Sequence, residues 1–217
     1  MKVLILGANG QIAKFVENRI LTEDQFKDIE LTLFLRDRSR LQQLADNPRV
    51  TLVEGNLTDE KAVQQAMVGQ QLVLIATVDT DSENTITTNV IQAMKAQHVD
   101  RVLAASSIGI YAEEPNPQFH AWNQSTLSGA LAPMRQASEL LQQSGLTYTT
   151  MQFAWLNNHD AINYTITEKG EKFAGGSGSR KSMADAILKM IADPTLYANK
   201  VIGISDPETK DAPSVVN

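Results

Sequence analysis

The stretch Lys2-Val-Leu-Ile-Leu-Gly7-Ala8-Asn9-Gly10-Gln11-Ile12-Ala13 decides the fold. The apolar run before Gly7 is typical of a buried β-strand. After Gly10, apolar residues recur at three- and four-residue spacing on one face of a helix, at Ile12, Phe15, Val16 and Ile20. Gly7 permits a tight turn, and Gly10 lets the backbone approach a phosphate group at the start of the helix. The stretch predicts a dinucleotide-binding turn; a glycine turn that serves packing alone is the alternative.

Short apolar runs alternate with helix-like segments along the rest of the chain. The predicted strands are Lys2–Leu6, Leu31–Leu35, Val50–Glu54, Leu72–Ala76, Arg101–Ala105, Thr147–Phe153 and Lys200–Ile204. The predicted helices are Gln11–Leu21, a helix capped by Thr58 that continues through Met67, Asn84–Gln97, a stripe from Leu127 to Leu141, and Met183–Ile191. This order predicts a doubly wound, Rossmann-like α/β fold with a mainly parallel sheet in three αβα layers.

The 217 residues fit one domain, in which residues 1–150 form the nucleotide-binding core and residues 151–217 form a small substrate-side subdomain. The segment Ser106–Ser125 has no clear period, and we expect a long loop that serves as a binding lid or lies on the surface without a ligand. The cluster Gly175-Gly176-Ser177-Gly178 is expected to be a flexible connector.

Composition excludes several classes of function. The chain has no cysteine, so disulfides, thiolate nucleophiles and cysteine-ligated zinc are absent. Its formal charge of −6 gives no support to nucleic-acid binding. The longest apolar stretch, Leu72–Val78, is far shorter than the roughly 18 residues of a membrane span. No histidines have metal-site spacing. We therefore expect a cytoplasmic protein, monomeric or homodimeric, with a small-molecule substrate and no metal, nucleic-acid or membrane partner.

The end of the second predicted strand indicates which dinucleotide is bound. An NAD site normally has an acidic residue there, against the ribose 2′-hydroxyl. Arg36 occupies the position here, followed by Arg38 and Arg40, and a guanidinium can hold a 2′-phosphate through paired hydrogen bonds. This favours NADP, with NAD still possible because Asp37 would repel the phosphate if it pointed inward. The alternative is a solvated charge run at the start of a surface helix.

Across nearly its whole length the chain resembles a known family, the atypical short-chain dehydrogenases/reductases in their NmrA-like, NAD(P)-binding branch. The resemblance rests on the glycine turn and on the stretches Leu35–Asp37, Val53–Asp59, Ser106–Tyr111, Ser138–Thr150 and Ser179–Asp185.

The resemblance also implies a role for individual residues. It puts Gly7, Asn9, Gly10, Gln11 and Ile12 around the pyrophosphate, Arg36 at the adenosine phosphate, Asn56 and Leu57 at the adenine, and Ala76 and Thr77 at the nicotinamide-side ribose. The nicotinamide would lie near the turn after the sixth strand, at Phe153. The arginine-proline pair usual at that turn is replaced by Gln152 and Phe153.

The catalytic dyad of the wider superfamily, a tyrosine with a lysine four residues later, does not occur in this chain. Four residues after its tyrosines stand Pro115, Gln152, Glu168 and Val201. The candidate hydroxyl groups near the nicotinamide are instead those of Ser106, a cofactor contact, and of Ser107 and Tyr111, which can hydrogen-bond a substrate carbonyl. The simpler alternatives are that Ser106 caps a turn or strand end and that Tyr111 anchors the loop as an amphipathic side chain.

Three functions remain from the sequence. The first is an NADPH-dependent oxidoreductase that reduces a small quinone, flavin or carbonyl acceptor without the dyad. The second is an NADP-binding redox sensor that lacks catalysis. The third, and least favoured because the dyad is missing, is an epimerase- or isomerase-like enzyme that recycles its nucleotide.

Overall fold

The parallel sheet forms around β1 (Lys2–Leu6), whose residues Val3 to Leu6 are fully buried. A computed structural model describes residues 1–216. β1 pairs in parallel with β2 (Glu30–Leu35) and β4 (Leu72–Ile75). The other strands of this sheet are β3 (Val50–Glu54), β5 (Arg101–Ser107), β6 (Thr147–Phe153), β8 (Thr165–Glu168) and β10 (Lys200–Ser205). Their order is β3-β2-β1-β4-β5-β6-β10-β8, and only the edge strand β8 runs antiparallel to its neighbour.

Helices cover both faces of the sheet. The helices are α1 (Gln11–Thr22), α2 (Glu60–Met67), α3 (Thr85–Ala96), α4 (Pro117–Thr126), α5 (Leu131–Gln143) and α6 (Arg180–Ala192). Val3 and Ile5 of β1 belong to the core that α1 and α6 cover, whereas Leu4 and Leu6 belong to the core beneath α2 and α3. Alternate side chains of a strand point to opposite faces, so an apolar run on β1 supplies both cores. The predicted three-layer, doubly wound fold is confirmed.

The carboxyl-terminal part adds a second, smaller sheet. β7 (Trp155–Asn157) pairs in parallel with β9 (Ser177–Ser179). β9 leads directly into α6, and β7 follows β6 after one residue. This small sheet thus lies beside the carboxyl ends of β6 and β10, where the Asp206 amide donates to the Ser177 carbonyl at 2.8 Å.

The structure corrects two segment predictions. The expected loop Ser106–Ser125 instead contains helix α4, which Asn116 caps by accepting a hydrogen bond from the Phe119 amide at 2.9 Å. The expected connector Gly175–Gly178 is instead buried and closely packed. A Cβ at Gly176 would overlap the Phe119 ring, and one at Gly178 would crowd Met183. Close packing, not flexibility, explains these glycines.

The first turn of α2 is also capped differently from the prediction. The Asp59 carboxylate, one residue after Thr58, accepts hydrogen bonds from the amides of Lys61 and Ala62. Both residue types are good caps, and the negative charge of Asp59 gains further from the helix dipole.

Glu17 of α1 is a carboxyl group inside the apolar core between α1 and the sheet. It is 2% exposed, and its Oε1 has no hydrogen-bond partner within residues 1–216. Burial raises the pKa of Glu17 to about 8, and Lys14, which lowers it, offsets this only in part. At neutral pH the folded chain therefore holds a proton on Glu17 that the unfolded chain releases.

This pKa predicts a pH-dependent gain in stability for Glu17→Gln. Because the folded pKa lies above the unfolded value, the stability of the native chain falls as pH rises from about 4.5 to about 8. The neutral glutamine avoids this loss, so we expect the variant to match the native chain near pH 5 and to exceed it by a few kcal/mol at pH 8. Denaturant unfolding across this pH range measures the difference.

Glu83→Gln is the matched control, because Glu83 is exposed and its side chain makes no hydrogen bond within the described residues. Its difference from the native chain should stay flat with pH. An equal change in the free energy of unfolding of Glu17→Gln at pH 5 and pH 8 would contradict the raised pKa of Glu17.

Candidate functional site

The turn from β1 into α1 presents its backbone at the carboxyl edge of the sheet. Gly7 has a φ of +85°, and the amides of Gly7 and Ala8 both donate to the Phe34 carbonyl, at 3.0 and 3.2 Å. Gly10 is the N-terminal cap of α1 without a side-chain hydrogen bond, and a Cβ there would lie 3.2 Å from the Gly7 oxygen. The first amides of α1 are therefore available to an anionic ligand.

A cavity of about 500 Å³, here named the β1–β3 cavity, begins at this turn. Eight of the predicted cofactor residues line it: Gly7, Asn9, Gly10, Arg36, Asn56, Leu57, Ala76 and Thr77. The β3–α2 loop is held in place because Asn89 of α3 donates to the Leu57 carbonyl at 3.0 Å. Residues from four strand ends, far apart in sequence, thus meet on one surface.

The charges in the β1–β3 cavity favour a phosphate group at its Arg36 end. Arg36 lines the cavity and forms no ion pair within residues 1–216. Asp37 does not line it, because its carboxylate accepts from the Ser39 hydroxyl at 2.6 Å and contacts Arg40 Nε at 3.4 Å. The Ser39 hydroxyl in particular, helped by the Ser39 amide and Arg40, lowers the pKa of Asp37. Asp37 is thus ionised, and Ser39 and Arg40 engage its carboxylate, which does not pair with Arg36 within the described residues. Arg40 itself lines the cavity.

A second cavity of about 730 Å³, the β5–β6 cavity, meets the first at Ala76 and Thr77. Predicted residues Ile12, Ser106, Ser107 and Phe153 line it. The rest of its wall is mostly apolar: Val78, Thr80, Ala105, Leu127, Ala130, Met134, Ala154, Trp155, Leu156 and Val215, with Arg180. Such a wall suits a planar apolar ligand held by a few polar groups.

The two serines at the end of β5 offer hydroxyl groups to this cavity. Ser106 is 6% exposed, and its Oγ has no hydrogen-bond partner within residues 1–216. The Ser107 hydroxyl has only a long bond, 3.3 Å, to the adjacent Ile108 carbonyl. A buried hydroxyl without a hydrogen-bond partner destabilises the protein. A ligand in the cavity that forms the missing hydrogen bond would recover this free energy.

Two of the predicted site residues line neither cavity. Gln11 is exposed on the first turn of α1. The Tyr111 hydroxyl donates to Ser138 Oγ at 3.1 Å and accepts from Gln142 Nε2 at 2.8 Å, and its ring lines a separate cavity of about 280 Å³ with Arg135. The structure therefore brings Ser106 and Ser107 together but not Tyr111.

Sequence reasoning missed most of the wall of the β5–β6 cavity. Leu127, Ala130, Arg180 and Val215 come from three separate segments of the second half of the chain. Trp155 is different, because it follows Phe153 at strand spacing, so the sequence indicates it as a lining residue. The positions of the others depend on how α5, β7 and α6 pack, which no local pattern specifies.

The family of NAD(P)H-binding domains matches residues 7–194, most of the chain. The chain belongs to this NAD(P)H-binding family. Membership agrees with the glycine turn at Gly7 and Gly10 and confirms the resemblance to the atypical short-chain dehydrogenases/reductases.

Solved structures resemble this NAD(P)H-binding protein over its full length. A short-chain dehydrogenase/reductase from Veillonella parvula in complex with NADP is 26% identical with a TM-score of 0.91, covering 100% of this chain and 99% of that one. A Rossmann-fold NAD(P)-binding family protein from Shigella flexneri is 32% identical with a TM-score of 0.80, covering 100% and 98%. An anaerobilin reductase from Escherichia coli O157:H7, 18% identical with a TM-score of 0.80 over 98% and 100%, shows the fold alone.

The observed site fits the cofactor of this family. The open first turn of α1 lies along one edge of the sheet with Arg36 and Ser106, whose guanidinium and hydroxyl have no ion-pair or hydrogen-bond partner, respectively, in the described part of the chain. The predicted nicotinamide dinucleotide is confirmed at the level of the family. At this general level the family and the neighbours support an NAD(P)H-dependent oxidoreductase. Within residues 1–216, no three His, Asp or Glu side chains cluster as metal ligands, and no helix is long and apolar enough to cross a bilayer.

The Arg36 geometry predicts a preference for NADPH over NADH. Arg36→Ala removes a guanidinium without a carboxylate partner from the cavity, so we expect NADPH to bind roughly tenfold to a hundredfold more weakly, which is the contribution of charge-assisted hydrogen bonds. NADH, which lacks the 2′-phosphate, should change less than about threefold. Calorimetric titration of both nucleotides measures the two effects.

Arg38→Ala is the matched control, since Arg38 is an exposed arginine two residues away that does not line the cavity. It should leave both affinities unchanged within about twofold. Equal affinities of the native protein for NADPH and NADH would refute the role given to Arg36.

Proposed function

We propose that this protein is an NADPH-dependent reductase of a planar, quinone- or flavin-like acceptor, working without a tyrosine-lysine dyad. The observation that carries the proposal is the β5–β6 cavity, an apolar space of about 730 Å³ directly beside Ala76, Thr77 and the unpartnered Ser106 hydroxyl. Its place at the carboxyl ends of β4, β5 and β6 is where ligands of doubly wound sheets bind.

The β1–β3 cavity orients the cofactor. The turn at Gly7 and Gly10 receives the diphosphate, Asn56 and Leu57 flank the adenine, and Arg36 holds the 2′-phosphate. When bound, NADPH supplies a hydride, which is two electrons and one proton. The backbone at Ala76 and Thr77 and the Ser106 hydroxyl then limit how its nicotinamide end can lie at the mouth of the β5–β6 cavity.

The side chains of the β5–β6 cavity orient the acceptor. Phe153, Trp155 and Leu156 offer apolar surface for a planar ring system. The Ser107 hydroxyl, which is half-buried and only weakly bonded to Ile108, can donate to an acceptor carbonyl and stabilise the negative charge that develops on its oxygen. These contacts place the ring and polarise it, but they do not protonate it.

The proton source selects the type of acceptor. Among residues 1–216, no carboxyl, imidazole, lysine or phenol group lines the β5–β6 cavity. Water must therefore protonate the reduced oxygen. A hydroquinone or reduced flavin anion is a much weaker base than an alkoxide and does not need a positioned acid. Quinones and flavins thus fit this cavity better than simple ketones or aldehydes.

Turnover assays test the proposal. Purified protein with NADPH is mixed with menadione, with riboflavin and with a simple aromatic ketone, and oxidation of NADPH is followed at saturating nucleotide. We expect oxidation of NADPH well above the blank with menadione or riboflavin, and none with the ketone. Tight binding of NADPH without reduction of any acceptor would instead favour the redox sensor.

The two candidate hydroxyl groups predict different variant phenotypes. Ser107→Ala should lower kcat/KM for menadione about tenfold, which corresponds to one hydrogen bond to developing charge. Tyr111→Phe should leave kcat/KM within about twofold and lower the melting temperature, because its hydroxyl bonds only Ser138 and Gln142. A large loss of turnover in Tyr111→Phe, with Ser107→Ala unaffected, would assign the hydrogen bond to the acceptor to Tyr111 and leave Ser107 without that role.

A further inference from the structure

Among the described residues that line the β5–β6 cavity, Arg180 is the single charged one. It is the first residue of α6, and its position is set by the elements around it. Ser179 caps the helix by accepting from the Ser182 amide at 3.0 Å, and β9 holds Ser179 in register with Asn157 of β7. The cation therefore extends from an ordered helix start into a largely apolar space.

The guanidinium of Arg180 has few partners. Within residues 1–216, Nη1 donates to the side-chain oxygen of Asn158 at 2.9 Å, and no carboxylate lies within ion-pair distance. The neighbouring cation differs, because Lys181 Nζ contacts Asp160 Oδ1 at 2.6 Å and does not line the cavity. A guanidinium has five N–H donors, so most of those on Arg180 are left for a ligand.

The apolar wall of the cavity is itself ordered. Trp155 Nε1 donates to the buried Asn123 side chain at 2.7 Å, and the Trp155 ring lies 4.8 Å from that of Trp122. A half-buried cation beside such a wall is incompletely solvated, so an anion brought next to it gains more than it would in water. A ligand that fills the cavity with rings and carries one anionic group would satisfy both features.

We propose that Arg180 binds a carboxylate or sulfonate on the acceptor, so that the protein prefers planar acceptors that bear an anion. This rests on the proposed reductase function and deepens it. The same cation is also able to meet the cofactor diphosphate, because Ile12 of the first turn of α1 lines the same cavity. Both are oxygen anions, and the experiment separates them.

The test uses 1,4-naphthoquinone-2-sulfonate against its uncharged relative menadione. The chain has no cysteine, so thiol adducts with quinones do not interfere. Reduction at saturating NADPH gives KM for each quinone. Quenching of the fluorescence of the two tryptophans, Trp122 and Trp155, gives the dissociation constants without turnover.

We expect the native protein to bind the sulfonate more tightly than menadione. Arg180→Gln should weaken binding of the sulfonate roughly tenfold to a hundredfold and leave menadione and NADPH within about threefold. Arg180→Lys, which keeps the charge but not the planar fork, should recover part of the loss. Lys181→Gln, which removes the adjacent cation, should change none of the three affinities.

Two results overturn the inference. In the first, the native protein binds both quinones equally. In the second, Arg180→Gln weakens NADPH and both quinones alike, which would assign the guanidinium to the diphosphate. Failure of the reductase proposal is a separate result, namely no reduction of either quinone; the fluorescence titrations then still decide whether Arg180 selects anionic ligands.

Discussion

The backbone turn between β1 and α1 is the constraint on which the ligand-binding edge of this molecule depends. Gly7 has a positive φ, and two consecutive amides, of Gly7 and Ala8, converge on the single carbonyl of Phe34 in the next strand. This ties the turn to β2 and directs the start of α1 at the edge of the sheet. Because Gly10 has no side chain, the amides at that start are open to an anion. The β1–β3 and β5–β6 cavities together form a cleft that begins at this turn.

The cleft carries positive charge at both ends, whereas the acidic groups near it are engaged by other residues. The protein as a whole carries −6, yet Arg36 at one end and Arg180 at the other face the cleft without a carboxylate partner within the described residues. Nearby acidic groups are engaged elsewhere, Asp37 by Ser39 and Asp160 by Lys181. An anionic ligand thus meets cations in the cleft of a molecule whose summed field would otherwise repel it.

The middle of the cleft is apolar and poor in proton donors. On α5, Arg135 pairs with Glu139 at 2.8 Å and does not line the β5–β6 cavity. The helix presents Met134 to the cavity instead. This chain has no tyrosine with a lysine four residues later, and among the described residues the β5–β6 cavity is lined mostly by apolar side chains, together with the serines at the end of β5.

The local sequence determined those features that depend on hydrophobic period and turn chemistry. β1 and β6 begin and end as predicted, the glycine turn lies between a buried strand and an amphipathic helix, and Arg36 follows β2. Buried parallel strands are continuous apolar runs, and about a dozen consecutive residues are enough to specify a strand-turn-helix unit of this kind. The eight predicted residues that line the β1–β3 cavity could be identified for the same reason, since each lies within four residues of a predicted strand end.

The second cavity depends on tertiary packing. The sequence of helix α4 has no clear helical period, and long-range contacts hold its start, such as those of the Asn116 side chain with the carbonyls of Lys210 and Ala212. The glycines at 175–178 look like a connector in the sequence because their packing partners, Phe119 and Asp206, are distant along the chain. Tyr111 follows β5 closely, yet its hydroxyl points to Ser138 and Gln142, whereas Arg180, almost 70 residues later, lines the cavity. Which side chains share a cavity depends on how helices and loops pack, and that is a property of the whole chain.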